Sequence, residues 1–172
     1  MTKFTLPTEA TRALVQAFVS CRLDYCNSLL AGVADVHIRR LQLLQNAAAR
    51  LVAGARRCDH ISPVLAELHW LPVRQRITFK IAVLVWKCLH NKAARYLAEL
   101  CIPVTSVEGR RQLRSATTGT LLLPRVRTFT GQRSFAVFAP ATWNSLPPSL
   151  RAPKLSLSTF KRLLKTRLFQ HA

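Results

Sequence analysis

Residues 68–90, LHWLPVRQRITFKIAVLVWKCLH, constrain this chain more than any other stretch. Pro72 suits a first helical turn, where its missing N–H would lack a partner in any case. Residues 73–89 then run for seventeen positions with no glycine and no internal proline. On a helical wheel, Val73, Ile77, Ile81, Leu84, Val85 and Cys88 share one arc, and Phe79, Val83 and Trp86 form a second almost opposite. A helix apolar on two sides is packed on two sides, so the pattern predicts a central helix over 73–89. Between the arcs, Arg76, Lys80 and Lys87 fall within about 40° of one another, a narrow basic strip on the one wet seam. Residues 81–86 would also suit a buried strand, because Ile and Val favour sheets; the uninterrupted length favours the helix.

The flanking segments read as further helices. Thr8 after Pro7 can cap a first helix over 8–30, ended by Gly32. Its predicted inner face holds Leu14, Val15, Phe18, Val19, Cys21, Leu23, Tyr25, Cys26, Leu29 and Leu30, with Gln16, Ser20, Asp24 and Asn27 outside. Arg22 lies inside the apolar arc as a snorkelling stem. A second helix spans 36–53, with Ile38, Leu41, Leu44, Ala48, Leu51 and Val52 as its core stripe. Arg39, Asn46 and Arg50 mark its outer face. Ser62-Pro63 opens a short helix over 62–69, and His69-Trp70-Leu71-Pro72 is the tight corner into the central helix.

Beyond His90 the pattern loosens. Residues 96–101 make one or two helical turns, and 103–133 show no sustained period. Residues 120–123 and 134–138 pair as a short two-stranded ribbon in this reading. Residues 139–144 form a turn of helix closed by Leu146-Pro147-Pro148. Ser158 caps a last amphipathic helix over 158–169, with Phe160, Leu163, Leu164 and Leu168 inward and Lys161, Arg162 and Lys165 outward. The fold class expected is mainly α: a helical bundle around 73–89, an irregular basic segment, and a C-terminal amphipathic helix. Two parts are expected, a helical domain over 1–102 and a basic segment over 103–172 packed on it.

Charge narrows the function. The 172 residues carry a net charge of +19. All seven acids lie in residues 1–108, against fourteen Lys and Arg; residues 109–172 carry twelve Lys and Arg and no acid. An excess this large repels itself in a compact chain, and a polyanion such as nucleic acid relieves the repulsion. The seven acids include no adjacent pair, whereas polynucleotide synthesis by two metal ions needs clustered carboxylates. The sequence has no Gly-rich phosphate loop, no G-x-S-x-G and no H-E-x-x-H, so no enzyme class is indicated.

Five cysteines, an odd and irregularly spaced set without C-x-x-C, read as free thiols in a reducing compartment, cytoplasmic or nuclear. Neither Cys58-x-His60 nor Cys88-x-His90 has metal-site spacing, and His69 has no placed catalytic partner. No metal, cofactor or small-molecule substrate is expected. MTKFTLPTEA shows no secretory hydrophobic region, and no apolar run reaches membrane-span length, so no membrane partner is expected either. Oligomeric state is not encoded in any pattern of the chain. Trp70 and Trp143 sit at proline corners as anchors of the bends, and Trp86 lies on a core arc.

Four stretches resemble a known family. LDYCNSLL (residues 23–30), RLQLLQNAAARLV (40–52), DHISPVLAELHWLPVRQRITFKI (59–81) and ATWNSLPPSLR (141–151) are similar to the C-terminal part of reverse transcriptases from LINE-type non-LTR retrotransposons of the jockey-like superfamily. The resemblance runs from about residue 8 to 169, in the family's order. It implies the thumb helices and the region after them, which would contact a template–primer duplex, template RNA or target DNA. The family's palm motif, an aromatic residue followed by x-Asp-Asp, is absent, so no catalytic residue carries over. Met1 then reads as the start of an open reading frame in a truncated copy.

The expected function is sequence-independent nucleic-acid binding by a non-catalytic reverse transcriptase fragment. The alternative is a relic open reading frame without a selected function. The candidate phosphate contacts are Arg39, Arg50, Arg76, Lys80 and Lys87, followed by Arg110, Arg111, Arg114, Lys161, Arg162, Lys165 and Arg167 in the basic segment.

Overall fold

The computed structural model describes residues 7–106 and 119–170. Its helices are α1 (Thr8–Val15), α2 (Cys21–Asp24), α3 (Asp35–Ala53), α4 (Ile61–Glu67), α5 (Val73–Leu89), α6 (Arg95–Ala98), α7 (Phe129–Gln132), α8 (Phe135–Asn144) and α9 (Leu157–Gln170). A π-helical turn, Gln16–Ser20, joins α1 to α2, and a 3₁₀ turn, Asn27–Leu30, lies beyond α2. The fold is mainly α, as the periodicity requires.

Helix α5 occupies the predicted residues and forms the centre. Val73, Ile77, Ile81, Val85 and Cys88 of the first arc are buried, and so are Val83 and Trp86 of the second. Helix α3, the 3₁₀ turn, α8 and α9 all pack on α5. One core cluster therefore runs from Ala31 and Ile38 through α5 to Trp143, Phe160 and Leu168. Residues from both sides of position 102 build this core. Trp86 lies 6.3 Å from Phe160, and Trp143 lies 5.8 Å from the same ring. His90 stacks on Trp86 with centroids 3.7 Å apart. Asn91, in the left-handed region at φ 53°, turns the chain out of the helix.

The N-terminal helix departs from its prediction. The π turn and Cys26, whose φ of 49° is left-handed, break the span 8–30 and shift the helical phase of the residues after each break. Ser20 and Asn27, read as outer, are buried; Phe18, Tyr25 and Leu29, read as inner, are more than two-thirds exposed, and Cys21 and Cys26 are exposed as well. Arg22 is exposed. Thr8 is the first helical residue rather than the cap, and the Pro7 carbonyl accepts from Thr11 N–H at 3.0 Å.

Local phase and capping account for the smaller differences. The α3 stripe is Ile38, Gln45, Ala48, Ala49 and Val52, with Leu44 and Leu51 turned to solvent. Gly54 closes α3 at φ 65°, a conformation that favours glycine. Helix α4 begins at Ile61, so Ser62 is helical and not the cap. Ser156, not Ser158, caps α9: its Oγ accepts from Thr159 N–H at 3.2 Å. Leu163 is exposed, leaving Phe160, Leu164 and Leu168 as the inward stripe.

The predicted ribbon does not form. Residues 134–138 open α8, because Phe135, Phe138, Ala139, Thr142 and Trp143 recur at helical spacing and alanines fill the gaps. Leu121 bridges instead to Pro103, and the Asn144 side chain completes its pairing. Asn144 Nδ2 donates to Leu121 O at 2.8 Å, and Leu121 N–H donates to Asn144 Oδ1 at 2.8 Å.

All five thiols are free. Cys88 and Cys101 are both buried, and burial pushes the Cys101 thiol up to about 12. Among the described residues no helix is long and apolar enough to cross a membrane.

Trp86 is 3% exposed, so Trp86→Ala is expected to cost about 3–5 kcal/mol in a reversible denaturant titration. Trp86→Phe should cost less, because the indole Nε1 has no hydrogen-bond partner among the described residues to lose. A loss for Trp86→Ala below about 1 kcal/mol would contradict a two-sided central helix.

Candidate nucleic-acid interface

The corner before α5 positions the basic side chains. Pro72 supplies no donor, and the first helical N–H, that of Val73, needs an acceptor from elsewhere. Gln42 of α3 provides it: its Oε1 accepts from Val73 N–H at 2.8 Å. Gln42 Nε2 donates to Gln45 Oε1 at 3.0 Å, and Gln45 Nε2 donates to the Leu71 carbonyl at 2.9 Å. The same carbonyl accepts from Arg76 Nε at 2.8 Å. Arg76 Nη1 then reaches both Asp24 oxygens, at 2.8 and 2.9 Å. Helices α2, α3 and α5 and the corner itself are thus tied through one carbonyl oxygen and one guanidinium.

Arg76 is consequently a clamp rather than a free cation. Its side chain is only 13% exposed, and Asp24 neutralises it locally. Arg50 is similarly engaged: Nε and Nη2 donate to the carbonyls of Arg56 and Asp59, both at 3.2 Å, holding the turn after α3. Arg39 is exposed on α3, near Asp35, whose carboxyl lies below its ordinary range because Arg74 donates a hydrogen bond to it. Lys87 is half-buried on α5. Arg110, Arg111 and Arg114 lie outside the described residues.

Helix α9 presents the least encumbered cations. Lys161 and Arg162 are exposed, and Lys165 and Arg167 are half-buried at the margins of the packed face. Lys165 Nζ stands 5.9 Å from the Phe169 ring. None of these four, nor Lys80, forms an ion pair among the described residues; the pairs found are Arg74–Asp35, Arg76–Asp24 and Arg95–Glu99. The packing of α9 on α5 brings Lys165 and Lys80 to one open cleft of about 330 Å³, which Arg76 also lines. Arg39, Arg50 and Lys87 are not part of that cleft.

Several residues of this region escape a sequence reading. Asp24 and Asn27 fall on the face read as solvated, yet both line the cleft. Gln42 and Gln45 lie in the 40–52 stretch but belong to no chemical motif; the one local signal is Gln45 on the core side of an otherwise apolar stripe. In the basic segment, Arg133 Nε donates to Ala31 O at 3.3 Å, and Arg151 Nε donates to Leu146 O at 3.0 Å. Burial pulls the Arg151 pKa below its ordinary value. These two arginines hold loops. No group of three or more His, Cys, Asp or Glu among the described residues is placed to hold a metal ion.

No protein-family model, curated protein or solved structure matches this chain.

Gln45→Leu roughly keeps the volume but removes the donor to Leu71 and the acceptor for Gln42. The expected cost is about 1–3 kcal/mol in denaturant unfolding. Gln45→Glu, which puts a carboxylate in a site only 1% exposed, should cost more. Wild-type stability in both variants would show that the corner is held by packing alone.

Proposed function

We propose that this chain is a non-catalytic piece of a LINE-type retrotransposon reverse transcriptase that binds nucleic acid through phosphate contacts, without reading sequence. The observation that carries the binding is α9, where Lys161, Arg162 and Lys165 on the outer face and Arg167 on the opposite flank have no carboxylate partner among the described residues, and where Lys165 shares a cleft with Lys80. Unpaired cations on a rigid helix displace condensed counterions from a phosphate backbone, and that release supplies affinity independent of base identity. Lys161 and Lys165, like charges four apart, repel in the free helix and lose that penalty beside a polyanion.

The family assignment rests on the resemblance of residues 23–30, 40–52, 59–81 and 141–151. These stretches contain Asp24, Asn27, Gln42, Gln45, Leu71, Val73, Arg76, Trp143 and Asn144, most of which tie the helices together through hydrogen bonds. Catalysis is not part of the reading, because the sequence lacks the aromatic-x-Asp-Asp palm motif of the family it resembles and no catalytic residue carries over.

The test is the salt dependence of duplex binding. Changing Lys161, Arg162, Lys165 and Arg167 together to glutamine should lower the slope of log K against log salt by roughly 3–4 units on duplex DNA. Affinity should be nearly the same for unrelated duplex sequences. Equal slopes for wild type and variant would remove α9 from the interface.

A further inference from the structure

The cleft shared by Lys80 and Lys165 has a chemistry that phosphate contacts alone do not explain. A purely phosphate-binding groove would be cationic throughout. Here cations share the walls with the carboxylate of Asp24, which is half exposed. An anion would be repelled from the Asp24 side, whereas an N–H donor would be welcomed there. Arg76 occupies two of roughly four acceptor sites on that carboxylate, so acceptor capacity remains.

Asn27 is the second observation. It is 3% exposed, lines the cleft, and its Oδ1 has no hydrogen-bond partner among the described residues. A buried acceptor left unmade is costly, and a turn of this amide toward the cleft would let an entering donor recover the loss. Phe79 and Leu71 add apolar surface to the same walls. The volume, about 330 Å³, is at the lower end of small-ligand sites and far too small for a duplex.

We propose that this cleft takes one unpaired nucleotide of a nucleic-acid strand, with its phosphate at Lys80 and Lys165 and its base turned inward toward Asp24, Asn27 and Phe79. The base that suits a carboxylate and an unpaired amide oxygen is one with adjacent N–H donors on its pairing edge, which among the common bases is guanine. The proposal rests on the nucleic-acid-binding reading and adds to it a local preference for base chemistry. Phosphate contacts on α9 would set affinity, and the cleft would hold an end, a bulge or a flap at one register.

The experiment is a backbone-amide NMR titration of the full chain with GMP, AMP, CMP and UMP, alongside a duplex-binding measurement. GMP should shift the amides of Asn27, Phe79 and Lys80 and bind at least about tenfold more tightly than AMP. Asp24→Asn should remove the GMP preference, while Lys80→Gln with Lys165→Gln should weaken all four nucleotides alike. The comparison of four nucleotides on wild-type protein needs no variant to fold. Equal weak binding of all four, unchanged by Asp24→Asn, would overturn the base-in orientation and leave a phosphate site only. Salt-dependent duplex binding with no nucleotide in the cleft would overturn this inference and leave the function above standing; absence of both would overturn the two together.

Discussion

The Leu71 carbonyl is the junction on which the arrangement depends. It sits at the corner where α4 has ended and α5 has not begun, and it accepts from both Gln45 Nε2 and Arg76 Nε. Proline at 72 forbids the usual local solution, and His69 just before it is held in the left-handed region at φ 55°. A corner of this kind buries backbone groups that must find partners outside their own segment. Gln42 and Gln45 of α3 meet that need, and Arg76 carries the connection on to Asp24. The direction in which α5 leaves the corner, and hence the side on which α8 and α9 pack, depends on these bonds.

Helix α5 was legible because its pattern is redundant. Two apolar arcs over seventeen residues leave one solution, and the burial of Ile81, Val85 and Trp86 follows from spacing alone. The N-terminal stretch was less legible because a π turn and a left-handed Cys26 rephase the wheel, which no periodicity argument anticipates. The apolar surplus of Phe18, Tyr25 and Leu29 then points to solvent. The ribbon failed for a different reason: β-compatible residues at 134–138 run on into a helical repeat, and the longer pattern wins. Asn144, whose amide completes the pairing of Leu121, carries no marker in the sequence.

The basic residues divide by their surroundings, which a count of charge cannot show. Arg76, Arg50, Arg133 and Arg151 donate to carbonyls or a carboxylate and stabilise turns. Arginine suits such sites because its planar fork makes several bonds at once and its charge is weakly hydrated. Lys80, Lys161 and Lys165, by contrast, have no carboxylate partner among the described residues. Among the described residues the cations therefore form two populations, one structural and one displayed. A phosphate backbone suits the second.

The most direct test of that division is lysine reactivity in the intact chain, read by mass spectrometry after brief acetylation with and without a random-sequence duplex at low salt. The account predicts that Lys80, Lys161 and Lys165 lose reactivity together when duplex is bound, because Lys80 and Lys165 line one cleft and Lys161 stands one helical turn from Lys165 on α9. Unchanged reactivity at these three lysines on a protein that has demonstrably bound duplex would contradict it.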